Sequence, residues 1–173
     1  MKKLYYLSVM YFIMMLISCT STYRYSINNP SDKKLERNKI IAIATSEDGL
    51  YGSDIYTGSG RILSHIIKKE LITYSSKTII FENKESIIDF SEEDISKYDY
   101  VIIPEILHWE DRATAWSGLP DKVEFSVNIY NSKRELLKST VLSGKSARMT
   151  LRSTDPSELI EKPLNDFFKS VFQ

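Results

Sequence analysis

Cysteine is nearly absent: Cys19 is the only one in 173 residues, so no internal disulfide can form and no cysteine-rich metal cage exists. Histidine is almost as scarce. His65 and His108 stand too far apart to begin a closely spaced ligand set, and the sequence implies no metal and no cofactor. Neither sign of charge is in excess, with 23 Lys and Arg against 23 Asp and Glu, so nothing suggests a nucleic-acid partner. Glycine is sparse, and no phosphate motif is complete. Gly58-Ser59-Gly60 meets Leu63 where a dinucleotide fingerprint wants its third glycine, and Gly144-Lys145-Ser146 has Ser139 where a P-loop wants glycine. Thr57 stands where a nucleophile elbow around Ser59 would need glycine.

Long apolar runs are also lacking, with one instructive near miss. After Met1, Lys2 and Lys3, an apolar stretch from Leu4 to Ile17 is broken only by Ser8. It is shorter than the roughly 20 residues that span a bilayer, and no stop-transfer charges come after it, so it reads as a signal peptide over residues 1–18. Its end, Leu16-Ile17-Ser18-Cys19, resembles the lipobox of bacterial lipoproteins. A small residue, Ser18, lets a peptidase reach the bond before Cys19, and a thiol is a good nucleophile for a diacylglyceryl group. The resemblance implies cleavage between Ser18 and Cys19, diacylglyceryl and N-acyl groups on Cys19, and attachment to a membrane. Thr20, in place of the aspartate that resembles an inner-membrane retention signal, implies the outer membrane, facing the periplasm. The alternative is a short anchor helix with an incidental cysteine.

The 155 residues from Cys19 onward suit one domain with a real core. Residues 19–38 are polar and charged, which predicts a flexible tether with a reach of about 25 Å; Tyr23 and Tyr25 packing on the domain is the other option. Over 39–173 the pattern predicts a single α/β domain: a mixed sheet of about five strands with two main helices packed on it. Strands are expected at Lys39–Ala44, Thr78–Phe81 and Tyr100–Ile106, and as a hairpin from Val123 to about Ala147 turning at Asn131–Arg134. Residues 45–60 read as a long glycine-bearing loop. Ile62, Leu63, Ile66, Ile67 and Leu71 recur at helical spacing, as do Leu159, Ile160, Leu164, Phe167, Phe168 and Val171, with Pro163 expected to kink the last helix. Ser91-Glu92-Glu93-Asp94 has the form of a capping box opening a short helix.

Two stretches carry a resemblance over the whole mature chain. Glu47-Asp48-Gly49-Leu50-Tyr51-Gly52-Ser53, running on to Tyr56-Thr57-Gly58-Ser59-Gly60, is the first; His108-Trp109-Glu110-Asp111-Arg112-Ala113-Thr114-Ala115-Trp116-Ser117-Gly118, continuing Pro120-Asp121-Lys122, is the second. Both resemble the uncharacterised proteobacterial lipoproteins grouped as domain of unknown function 4823. That family implies an envelope lipoprotein of unassigned function and supplies no catalytic residues. The strand order is also similar to small α/β domains of periplasmic proteins, such as the amino-terminal part of TolB and the outer-membrane lipoprotein activators of peptidoglycan synthases.

Candidate site residues fall in those two stretches. Gly49, Tyr51, Gly58, Ser59 and Gly60 belong to the first, where a strand-to-helix loop can cradle an anion or simply open a helix. In the second, an extended backbone turns His108, Glu110 and Arg112 to one side and Trp109 and Asp111 to the other. One face then offers an acid/base or ligand-binding group; equally, Arg112 can pair with Glu110, Asp111 or Asp121 and pin the loop beyond it. Trp109 and Trp116 are core anchors or partner hot spots. The leading expectation is a non-enzymatic interaction module for an unknown envelope protein or ligand. Its competitors are a small hydrolase or ligand-binding enzyme using His108, Glu110 and Arg112, and phosphate or nucleotide binding at Gly58–Gly60.

Overall fold

Alternation in Lys122–Asn131 places Val123, Phe125, Val127 and Ile129 on one side of a strand, and all four are buried. That strand is the middle of the antiparallel part of the sheet. The computed structural model describes Tyr6 and residues 20–173 except 29, 31, 113–118 and 148–154. Strands are β1 (Thr22–Asn28), β2 (Ile41–Ala44), β3 (Gly49–Tyr51), β4 (Asp54–Tyr56), β5 (Thr78–Phe81), β6 (Tyr100–Glu110), β7 (Lys122–Asn131) and β8 (Leu136–Lys145). Helices are α1 (Ser59–Leu71), α2 (Glu92–Ile95) and α3 (Glu161–Val171), with 3-10 turns at Ile87–Asp89 and Pro156–Leu159.

The main sheet has six strands in the order β1-β8-β7-β6-β2-β5, and β3-β4 is a separate hairpin. Pairings from β1 to β6 are antiparallel, while β2 is parallel to both β5 and β6, so the sheet is mixed. On one face α1 and α3 bury a large core that includes Ile41, Ile43, Leu63, Ile67, Ile102, Phe125, Leu142, Phe167 and Phe168. Across the other face of the parallel strands, Phe90 and Ile95 pack on Ala42, Ala44, Val101 and Ile103. Coverage on both faces is why β2 reads as an unbroken apolar run.

Five expectations need correction. The mixed sheet with two main helices is as expected, but the segment assigned to a flexible tether is not one, since it supplies the sixth strand. Thr22–Asn28 pairs residue by residue with Ser139–Lys145, and Tyr25 donates its hydroxyl hydrogen to Asp166 Oδ2 of α3 at 3.0 Å. Further along the same segment, Leu35 is buried and bridges Phe172, and Lys34 bonds the Ser170 carbonyl. Burying one leucine contributes about 1.5–3 kcal/mol, and the β1 ladder satisfies backbone groups that a tether would leave to water.

The stretch 45–60 is not wholly a loop, since it holds the β3-β4 hairpin turning at Gly52, whose φ is 62°. Strand β6 runs past Ile106 to Glu110, because β3 lies beside its second half and β7 continues opposite it. Ile62 is not in the apolar stripe: it is 41% exposed, whereas Leu63, Ser64, Ile67 and Leu71 face the sheet. Pro163 does not kink α3, because it lies in the first turn, where amides have no intrahelical acceptor to lose.

Candidate functional site

Strand β6 makes one change of phase that decides where the second sequence stretch points. Its register against β7 shifts between Ile106 and His108, leaving Leu107 as an extra residue. Before the bulge Ile102 and Ile106 face the helix-covered core, and after it Trp109 does. The bulge therefore seats Trp109 in the core at 3% exposure and turns His108 and Glu110 to the opposite face. Trp109 is a core anchor, not an exposed hot spot.

Glu110 is the centre of that face. Its side chain is fully buried and yet ionic, with Oε2 at 2.9 Å from Lys122 Nζ and 3.1 Å from His108 Nε2, and Oε1 against the Arg112 guanidinium. A carboxylate only accepts, so His108 donates from Nε2. Burial pushes the Glu110 carboxyl up, but Lys122, His108 and Arg112 together hold it below its ordinary value. Lys122 is its directly opposite residue on β7. Arg112 also anchors the start of the connection to β7, since its backbone amide donates to Asp121 Oδ1 at 2.7 Å, and Asp121 in turn exchanges bonds with Ser146. Asp111 takes no part in the carboxylate cluster. Burial, then Asp121 and Asp155 nearby, push its carboxyl up.

The first stretch comes to the same place. Gly49 of β3 lies flat on Trp109: a Cβ there would be 2.5 Å from the Trp109 Cβ. That close approach brings the Tyr51 ring edge-on to His108 at 5.6 Å and beneath the Arg112 guanidinium at 5.1 Å, with Arg112 Nη1 donating to the Tyr51 hydroxyl at 3.3 Å. Tyr56 accepts from the Asp111 amide at 3.4 Å. Among the described residues, the two stretches therefore share one surface, with Tyr51, His108 and Arg112 at its middle.

Gly58, Ser59 and Gly60 do different work. Gly58 stands at the α1 N-cap with φ 90°. Its amide donates to Asp48 Oδ2 at 2.9 Å and that of Gly60 to Asp48 Oδ1 at 3.0 Å, while Ser59 Oγ accepts from the Gly49 amide at 2.7 Å. The helix N-terminus thus already holds an anion, the Asp48 carboxylate, on the two amides that a phosphate would need. The sequence pattern contains no sign of Asp48 as this cap, because its distance from Gly58 along the chain is bridged only by the hairpin. Lys122 escapes sequence reasoning for a similar cause: its place opposite Glu110 depends on a register set through a bulge. Ser18, Cys19 and Trp116 lie outside the described residues. Among the described residues, no three His, Cys, Asp or Glu side chains are grouped to hold a metal ion, and no helix is long and apolar enough to cross a membrane.

A cleft of about 270 Å³ adjoins the cluster on the sheet face opposite α1 and α3, lined by Thr22, Arg24, His108, Lys122, Glu124 and Lys145 among others.

Comparison with solved structures shows the same fold at low identity. PelC from Paraburkholderia phytofirmans, crystallised as a dodecamer, superposes with a TM-score of 0.63 at 10% identity, over 89% of this chain and 99% of that one. A variant of that dodecamer in a second crystal form gives a TM-score of 0.61 at 14% identity, over 89% and 100%. No curated protein matches the sequence. The similarity that reaches sequence level covers Lys33 to Val171, beginning after β1 and taking in both distinctive stretches, and by it the chain belongs to the family named domain of unknown function DUF4823.

Proposed function

We propose that this protein is an outer-membrane-anchored periplasmic lipoprotein that acts as an interaction module, presenting the Tyr51–His108–Arg112 surface to a protein or envelope partner. The observation that supports the reading is the convergence of described residues from the two distinctive stretches, Tyr51 with His108 and Arg112, on one surface, with Glu110 neutralised inside it. Aromatic and arginine side chains held on a fixed scaffold are the residue types that dominate partner interfaces. The lipobox-like Leu16–Cys19 supports the anchor, and Thr20 the outer membrane.

Glu110 supports a binding role over an acid/base one. A general base works best with a pKa near the operating pH, and Lys122, His108 and Arg112 move Glu110 the other way. The hydrolase alternative would need His108 to act without it. Phosphate or nucleotide binding at Gly58–Gly60 would need Asp48 to leave its two amides.

The test is photo-crosslinking in the intact envelope from a reactive side chain placed at Tyr51, with a second at the remote Ile72. A discrete adduct from Tyr51 alone is expected; another copy of this chain is a candidate partner, since PelC forms a dodecamer. Recovery of uncrosslinked monomer alone from both positions would refute the module. Labelling with a palmitate analogue, lost on Cys19→Ser, tests the anchor separately.

A further inference from the structure

One end of the sheet carries more cations than acids. Pairing registers place Thr22 opposite Lys145, Lys145 opposite Lys122, and Lys122 opposite Glu110, so these four residues form a row across four strands. Direct opposition of two lysines on neighbouring strands is unfavourable. Lys122 is relieved by Glu110, whereas neither Lys145 nor Arg24, two residues along β1 from Thr22, has an ion pair among the described residues. Both line the cleft beside His108 and Lys122 on the sheet face opposite α1 and α3, where Glu124 is the acidic lining residue.

The same row is where the chain comes in from Cys19. Thr20 and Ser21 are all that separate Cys19 from β1. Three extended residues reach about 10 Å, so a lipid-bearing Cys19 holds this end of the sheet against the bilayer instead of letting the domain drift on a long arm.

From the short lead and the two cations without an ion pair together, we infer that Arg24 and Lys145, with Lys122 beside them, seat the phosphate groups of anionic lipids, docking the domain on the membrane by the cleft end of its sheet. This rests on acylation of Cys19, which mass spectrometry of the Cys19 peptide checks on the same sample. Basic side chains at an anionic bilayer gain from its surface potential, and the gain fades within a Debye length. A long tether would forfeit it; this lead does not.

The test is amine labelling of the full acylated protein, reconstituted in vesicles of phosphatidylcholine alone or with added phosphatidylglycerol, and read lysine by lysine. Labelling of Lys122 and Lys145 is expected to slow by about fivefold, the ordinary worth of one basic side chain at an anionic surface, when phosphatidylglycerol is present. Lys68 and Lys97 serve as controls and should not change. High salt should remove the protection, and Arg24→Glu should weaken it at Lys145. Equal labelling in the two vesicle types on chains whose Cys19 carries lipid overturns the docking while leaving the anchor intact. Unlipidated Cys19 overturns both. Equal protection by inorganic phosphate over phosphatidylcholine vesicles would make this a free-anion site and overturn the membrane as its occupant.

Discussion

Glu110→Gln removes one charge and keeps the shape, so it isolates what the buried carboxylate does. Breaking a buried ion pair by deleting one partner costs about 3–5 kcal/mol where the survivor stays dry. Here the survivors rehydrate in part: the side chains of His108, Arg112 and Lys122 keep 36%, 30% and 40% exposure. We therefore expect a loss of about 2 kcal/mol at neutral pH, which in a domain of this size lowers Tm by roughly 4–8 °C. The pH dependence gives the sharper check. Because Glu110 titrates below its ordinary 4.5 when folded, its contribution is complete above that value and is lost as pH falls through the folded pKa. Thermal melts of both proteins from pH 7 to pH 3 should start apart and converge in acid. Equal Tm values at pH 7, or a gap that persists unchanged at pH 3, would refute the account of Glu110 as an ionised hub.

Gly49→Ala should lift β3 off Trp109, since the added Cβ would meet the Trp109 Cβ at 2.5 Å; a loss of about 1–3 kcal/mol and altered near-ultraviolet circular dichroism are expected. Asp48→Ala frees the amides of Gly58 and Gly60 and should cost about 1 kcal/mol in denaturant unfolding. The same variant tests the anion reading of the α1 N-terminus: inorganic phosphate should raise its Tm but leave the parent unmoved. Phe168→Ala should cost about 3–5 kcal/mol, because Phe168 is fully buried against Tyr74, Phe167 and Phe172, and chemical denaturation measures it.

How much of this is legible in the sequence depends on whether a pattern is local. The α3 stripe of Leu164, Phe167, Phe168 and Val171 and the alternation of Val123 to Ile129 are set by their own periods, and each is buried as those periods require. Strand β1 is also periodic, with Tyr23, Tyr25 and Ile27 interleaved with Arg24, Ser26 and Asn28. Its polar composition outweighs that signal, because what makes it a strand is an exposed edge of β8 far away in sequence. Trp109 and His108 show the opposite limit. Alternation alone gives their relative sides, but the bulge at Leu107 decides which side is the core, and no residue type announces a bulge there. The grouping of His108, Glu110 and Arg112 is readable from spacing; the fourth member, Lys122, needs the register.

The N-terminal edge strand also constrains the order of events in the life of the chain. Its partner β8 is made long afterwards: Thr140 closes its hydrogen bond to Ser26 across 114 residues. A chain growing from its N-terminal side therefore carries Thr22–Asn28 as an unpaired ribbon until nearly all of the domain has been made behind it, since pairing over such separations is slow. The outer edge of the sheet is thus the last part of it to close.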